Sequence, residues 1–123
     1  MPVISEGRYG GEFLMSEGPR AISRDVITIA SGAGIVPAGT VLGRLTTGGK
    51  FVPSPATGSD GSQTGVAINI YPVDATSGDV KVTAIVRSAE VNGKVLGYAA
   101  SVDDAPKRAA KATQLAAVGI IVR

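Results

Sequence analysis

Residues 35–45 read Ile-Val-Pro-Ala-Gly-Thr-Val-Leu-Gly-Arg-Leu, and the fold is decided by how this stretch is read. Pro37 fixes φ and Gly39 tolerates the positive φ of a tight turn, so residues 36–39 predict a turn that launches a strand over 40–46. Thr47-Gly48-Gly49-Lys50 then separates this strand from Phe51-Val52 by the short glycine-containing gap of a β-hairpin. The body therefore begins as a hairpin.

Downstream, residues 53–64 hold Pro, Ser, Thr, Gly and Asp with no apolar side chain larger than alanine, the composition of a surface loop long enough to carry function. Residues 65–71 alternate, with Val66, Ile68 and Ile70 expected inward and Ala67, Asn69 and Tyr71 outward, until Pro72 stops the strand. Residues 73–79 read as a polar connector. Residues 80–91 form the longest strand candidate, but Val80, Val82, Ala84 and Val86 share one parity while Ala89 and Val91 take the other. Such a phase flip near Arg87-Ser88 predicts a bulge or sharp bend. Asn92-Gly93 favours a type I′ hairpin turn into residues 94–96.

One helix is predicted. Asp103-Asp104-Ala105-Pro106 supplies a capping carboxylate and a proline for the first turn, and an alanine-rich run to Val118 is closed by Gly119. Ala105, Ala109, Ala112, Leu115 and Ala116 form a small-residue stripe suited to packing on a sheet, with Lys107, Lys111 and Gln114 on a polar face. Residues 120–122 read as a last strand.

Upstream, residues 25–30 read as a first strand, broken by Ser31-Gly32-Ala33-Gly34. Residues 1–24 are interrupted by Gly7, Gly10, Gly11, Gly18 and Pro19 so often that no helix propagates, and they form an extended arm. Tyr9, Phe13, Leu14 and Met15 are side chains of the kind that anchor an extended segment on a partner. A second reading stays open: a terminus whose few apolar residues tuck onto their own domain.

At 123 residues the chain is about one domain. It is 44% hydrophobic but 4% aromatic, with no Trp, so Val, Ile, Leu and Ala must build a thin core, and self-association would supply the missing burial. No Cys or His is present, which removes disulfides, thiolate metal sites and the usual general base. Twelve Lys and Arg against ten Asp and Glu give a net charge of +2, too balanced for electrostatic binding of nucleic acid. Neither a long apolar run nor a signal-type N-terminus is seen, so no membrane partner is expected and a soluble protein made in the cytoplasm is.

Chemistry is not signalled. Gly43 and Gly48 have phosphate-loop spacing, but Gly49 stands where the lysine is required and Phe51 follows Lys50. Gly32-Ala33-Gly34 lacks the third glycine of a dinucleotide fingerprint. Asp103 and Asp104 suit helix capping. No Ser-x-x-Lys occurs. No catalytic residue, cofactor or metal is expected, and the chain does not read as an enzyme.

The order of landmarks resembles the head decoration protein family of tailed phages, the type of lambda protein D. The resemblance rests on Gly11-Glu12-Phe13-Leu14-Met15-Ser16-Glu17, Ser23-Arg24-Asp25-Val26-Ile27-Thr28 and Ala38-Gly39-Thr40-Val41-Leu42-Gly43. Gly49-Lys50-Phe51-Val52, the run from Asp60 to Ala67, Arg87-Ser88-Ala89-Glu90-Val91 and the run from Leu115 to Ile120 extend it over almost the whole chain. It implies a mainly β body of the β-clip type, a bent hairpin ribbon, with one C-terminal α-helix and an extended N-terminal arm. It further implies a homotrimer on the outer surface of the virion, bound to the major capsid protein at the local three-fold axes of the expanded head. Residues 1–24 would be the capsid-binding arm and residues 25–123 the decoration domain. The candidate contact residues are Val3, Ile4, Arg8, Tyr9, Glu12, Phe13, Leu14 and Met15. A tail or fibre module and a SAF-like β-clip ligand-binding domain are the competing readings of the same residues.

Overall fold

The computed structural model describes residues 10–18 and 22–123. The chain is mainly β with one C-terminal helix. In order the elements are β1 (Leu14–Glu17), β2 (Arg24–Ile29), β3 (Gly34–Val36), β4 (Val41–Arg44), β5 (Phe51–Pro53), β6 (Gly65–Asn69), β7 (Val73–Ala75), β8 (Val80–Ile85), β9 (Ala89–Val91), α1 (Ala105–Ala117) and β10 (Ile120–Val122). A 3₁₀ turn, Gly93–Val95, follows β9.

Five strands close into a barrel in the order β2-β5-β4-β6-β8. The hairpin read from residues 40–52 is present: β4 and β5 are antiparallel, with Leu42 opposite Pro53 and Arg44 opposite Phe51. Its entry turn is held by Gly39 at φ 78°. Outside the barrel lie a three-stranded sheet, β1-β9-β10, and a two-stranded one, β3-β7.

Alternate residues of the barrel wall feed two cores. Ile27, Ile29, Leu42, Ala67, Val82 and Ala84 form one, joined by Val36 and Ala75. Val41, Ile68 and Ile85 belong to the other, with Phe13, Ile70, Ala89, Val91, Leu96, Leu115 and Ile120. The wall is thus covered on both faces, and this corrects the one-sided reading of residues 65–71. Ala67 and Asn69, expected outward, are fully buried. Asn69 is accommodated because its amide is satisfied: Oδ1 accepts from Thr40 N–H at 3.0 Å, and Nδ2 donates to the carbonyls of Pro37 at 3.0 Å and Tyr71 at 2.8 Å.

Two further expectations change. Residues 73–75 are not connector but β7, paired antiparallel with β3. The bend expected at 87–88 is present and makes a change of sheet: Ser88 adopts φ 51°, β8 ends in the barrel, and β9 begins in the outer sheet. Asn92-Gly93 makes no hairpin, because both edges of β9 are already taken, by β1 antiparallel and β10 parallel. Asn92 instead caps the 3₁₀ turn, its Oδ1 accepting from Lys94 N–H at 3.0 Å.

The helix starts as its capping chemistry requires. Asp104 Oδ1 accepts from Lys107 N–H at 3.0 Å, and Gly119 takes φ 87° just past the C-terminus. Its buried face is not the small-residue stripe: of that stripe only Leu115 is fully buried, and Lys107 of the polar face is exposed as expected. Lys111 and Leu115 are its buried residues, whereas Ala105, Ala109 and Ala116 are exposed.

Candidate functional site

Two regions bear on function: the place where the N-terminal segment joins the body, and the loop over α1. At the first, Gly11 takes φ 73° and donates its N–H to the Ile70 carbonyl at 3.0 Å. Gly10 lies against the ring of Tyr71, so closely that a Cβ would stand 3.0 Å from Cδ1. The turn delivers Phe13 into the second core, where it is 1% exposed, and its carbonyl accepts from Asn92 N–H at 2.8 Å. β1 then pairs with β9, Glu17 opposite Ala89. Gly18 N–H is shared between the Ser88 carbonyl at 2.9 Å and Ser23 Oγ at 2.8 Å, and Ser23 Oγ donates to the same carbonyl at 2.8 Å.

Arg24 grips Glu17 with two donors, Nε at 2.9 Å and Nη2 at 2.8 Å. This fork holds the Glu17 carboxyl below its ordinary range, chiefly through the hydrogen bonds.

Of the residues expected to touch a capsid, Val3, Ile4, Arg8 and Tyr9 lie outside the described residues. Phe13 is spent on the protein's own core, Leu14 is half-buried against it, and Glu12 and Met15 are exposed, Met15 at 57%. Of the two readings of the arm, its second half follows the one in which apolar residues tuck onto their own domain. Tyr71 and Val26, large and exposed beside this junction, were not singled out by sequence. Their strand parity marked Tyr71 as outward but gave no reason to choose it over other surface residues.

At the second region, the loop between β5 and β6 is anchored from beneath. Lys111 is 2% exposed, and its Nζ donates to Ser54 Oγ at 2.8 Å and to the carbonyls of Pro55 at 2.6 Å and Gln63 at 2.5 Å. Ser54 Oγ in turn donates to the Ser62 carbonyl at 2.7 Å. One turn on, Gln114 Oε1 accepts from Gly65 N–H at 2.7 Å. Burial pushes the Lys111 ammonium below its usual pKa. Gly43 completes the fit, since a Cβ there would overlap the Ser62 carbonyl. Ser54 and Ser62 are therefore buried within a segment whose composition suggested surface throughout.

Asp60 closes the loop's outer turn, accepting from Ser62 N–H at 3.0 Å and Ser62 Oγ at 2.5 Å. The remaining cations of α1 are also engaged. Lys107 Nζ donates to Asp103 at 2.9 Å, and the Arg108 guanidinium lies 5.5 Å from the centroid of Tyr98. Among the described residues no group of three acidic side chains could hold a metal, and no helix is long and apolar enough to cross a membrane.

The polar groups of both regions are spent on fixing loops, and Tyr71 and Val26 stand exposed beside the first of them. The family model for bacteriophage lambda head decoration protein D matches residues 3–120, and the chain belongs to that family. Membership gives it a capsid-decoration role and a place on the phage virion. No curated protein matches the chain.

Proposed function

We propose that the protein binds the expanded phage head as a homotrimer at the local three-fold axes and holds neighbouring capsomers together against the pressure of packaged DNA. The observation that carries this reading is the family match, which starts at residue 3 and so includes the segment 3–9. We assign the grip on the major capsid protein to residues 1–9, with Val3, Ile4, Arg8 and Tyr9 as the contacts and Glu12, Leu14 and Met15 at the margin. Phe13 belongs to the body. We assign the body built around the residues 40–52 hairpin to the β-clip type.

The work is done by binding free energy alone. A segment that orders as a strand on a shell edge gains backbone hydrogen bonds at an ordering cost of about 2–5 kcal/mol, so one segment binds weakly. Three on a closed trimer make later contacts intramolecular, raising avidity roughly 10²–10⁴-fold. The thin, aromatic-poor core supports the trimer, which buries what one chain leaves exposed. The pairing of Lys107, the burial of Lys111 and the stacking of Arg108 leave α1 without a basic stripe, which supports excluding nucleic acid as a direct partner. Assembly in the host cytoplasm onto the outer capsid surface completes the reading.

Co-sedimentation with empty expanded heads tests it. The full chain is expected to pellet with heads, and a chain lacking residues 1–9 to remain in the supernatant. Undiminished pelleting of the shortened chain would contradict the assignment of the grip, and failure of the full chain to pellet would contradict the function.

A further inference from the structure

The barrel seam between β2 and the β4–β5 hairpin is largely unzipped. β2 pairs with β8 along its whole length, from Arg24 opposite Ile85 to Ile29 opposite Val80. On its other side it meets β5 at one pair, Ile29 and Phe51, a contact that includes the bond from Ala30 N–H to the Phe51 carbonyl at 2.9 Å. Alternate N–H groups of a strand point the same way, so that of Val26 faces the seam as that of Ala30 does. There it finds no strand among the described residues. It donates instead to Asp25 Oδ1 at 2.9 Å.

The gap is a groove of about 900 Å³ whose apolar lining includes Ile27, Phe51, Val66 and Val86, with Val26 beside it and Arg44 and Arg87 at its rim. Arg44 lies across Gly49, where a Cβ would meet the guanidinium at 3.0 Å. No carboxylate is within ion-pair distance of Arg44 among the described residues, and the one near Arg87 is Asp25 at 3.9 Å.

We propose that this seam is a strand-addition site for an extended segment of the capsid shell subunit, apolar at alternate positions and carrying a carboxylate that meets Arg44. The inference rests on the decoration role proposed above. An open strand edge supplies backbone bonds, the apolar lining receives every second side chain, and the arginines choose an acidic partner by charge complementarity. Asp25 is the guard: by occupying the Val26 N–H it keeps the edge from pairing with other chains, while Arg87 is held by its bond to the Ile22 carbonyl at 2.8 Å.

Arg44→Glu and Arg44→Lys, at an exposed and unpaired position, are compared with the unaltered chain by co-sedimentation with expanded heads. Backbone hydrogen exchange at Val26 is measured on free and head-bound protein. Affinity is expected to fall about tenfold or more in Arg44→Glu and to be largely retained in Arg44→Lys, with Val26 exchange slowed on heads. Normal binding by Arg44→Glu while the unaltered chain binds would overturn the seam site and leave the decoration role standing. Exchange unchanged by heads, or already slow in the free chain because residues 1–9 or a second copy fill the groove, would also overturn it. If the unaltered chain fails to bind heads, both readings fall together.

Discussion

Lys111 carries an ammonium into the interior with no carboxylate among the described residues to meet it, and the desolvation cost is offset by three oxygen acceptors. Lys111→Met keeps the aliphatic stem but leaves the Pro55 and Gln63 carbonyls without their donor. We expect a loss of about 2 kcal/mol or more in denaturant unfolding, and a variant as stable as the parent would contradict the clamp. Periodicity places Lys111 on a polar face with Lys107 and Gln114, and nothing in that periodicity reveals that a loop far away in sequence folds over it. Glu17 gives a pH prediction. Its folded-state pKa lies below the ordinary value, so the stability it contributes is present above the unfolded pKa and is lost as pH falls through the folded one. The acid limb of a pH–stability profile should therefore be shallower in Glu17→Gln from about pH 4.5 downward; superimposable limbs would contradict the role of the Arg24 fork.

Elements defined by local chemistry were legible. The α1 boundaries follow from Asp104, Pro106 and Gly119, and the β4–β5 hairpin from Pro37, Gly39 and the Gly48-Gly49 gap. Elements defined by distant neighbours were not. β7 exists because β3 pairs with it, and the Asn92-Gly93 hairpin is absent because β1 and β10 already flank β9. On the proposed assignment, β1 separates grip from body. Phe13→Ala should cost about 3–5 kcal/mol in denaturant unfolding, as for a buried ring deleted from a core. A chain lacking residues 1–9 should melt like the parent, and one lacking residues 1–18 should not; equal melts for both truncations would place β1 outside the cooperative fold. At the loop, Gly43→Ala must push the Ser62 carbonyl away and should destabilise by about 1–3 kcal/mol.

For the whole molecule, the mainly β class and the single terminal helix were readable from patterning, whereas barrel closure was not. Closure depends on a parallel contact between β2 and β5 and on a wall buried on both faces, neither of which leaves a local signature. Apolar residues in a glycine-broken segment stand out as candidate anchors, but periodicity has no means of telling an anchor on a partner from one on its own core, and Phe13 is the latter. The central claim concerns assembly: three copies sit on the shell with their N-terminal segments against it. Electron cryomicroscopy of expanded heads incubated with the full chain tests this most directly. The account predicts added density at the local three-fold axes, one barrel per subunit, connected to the shell through residues 1–9; heads that gain no density there, or gain single copies elsewhere, would contradict it.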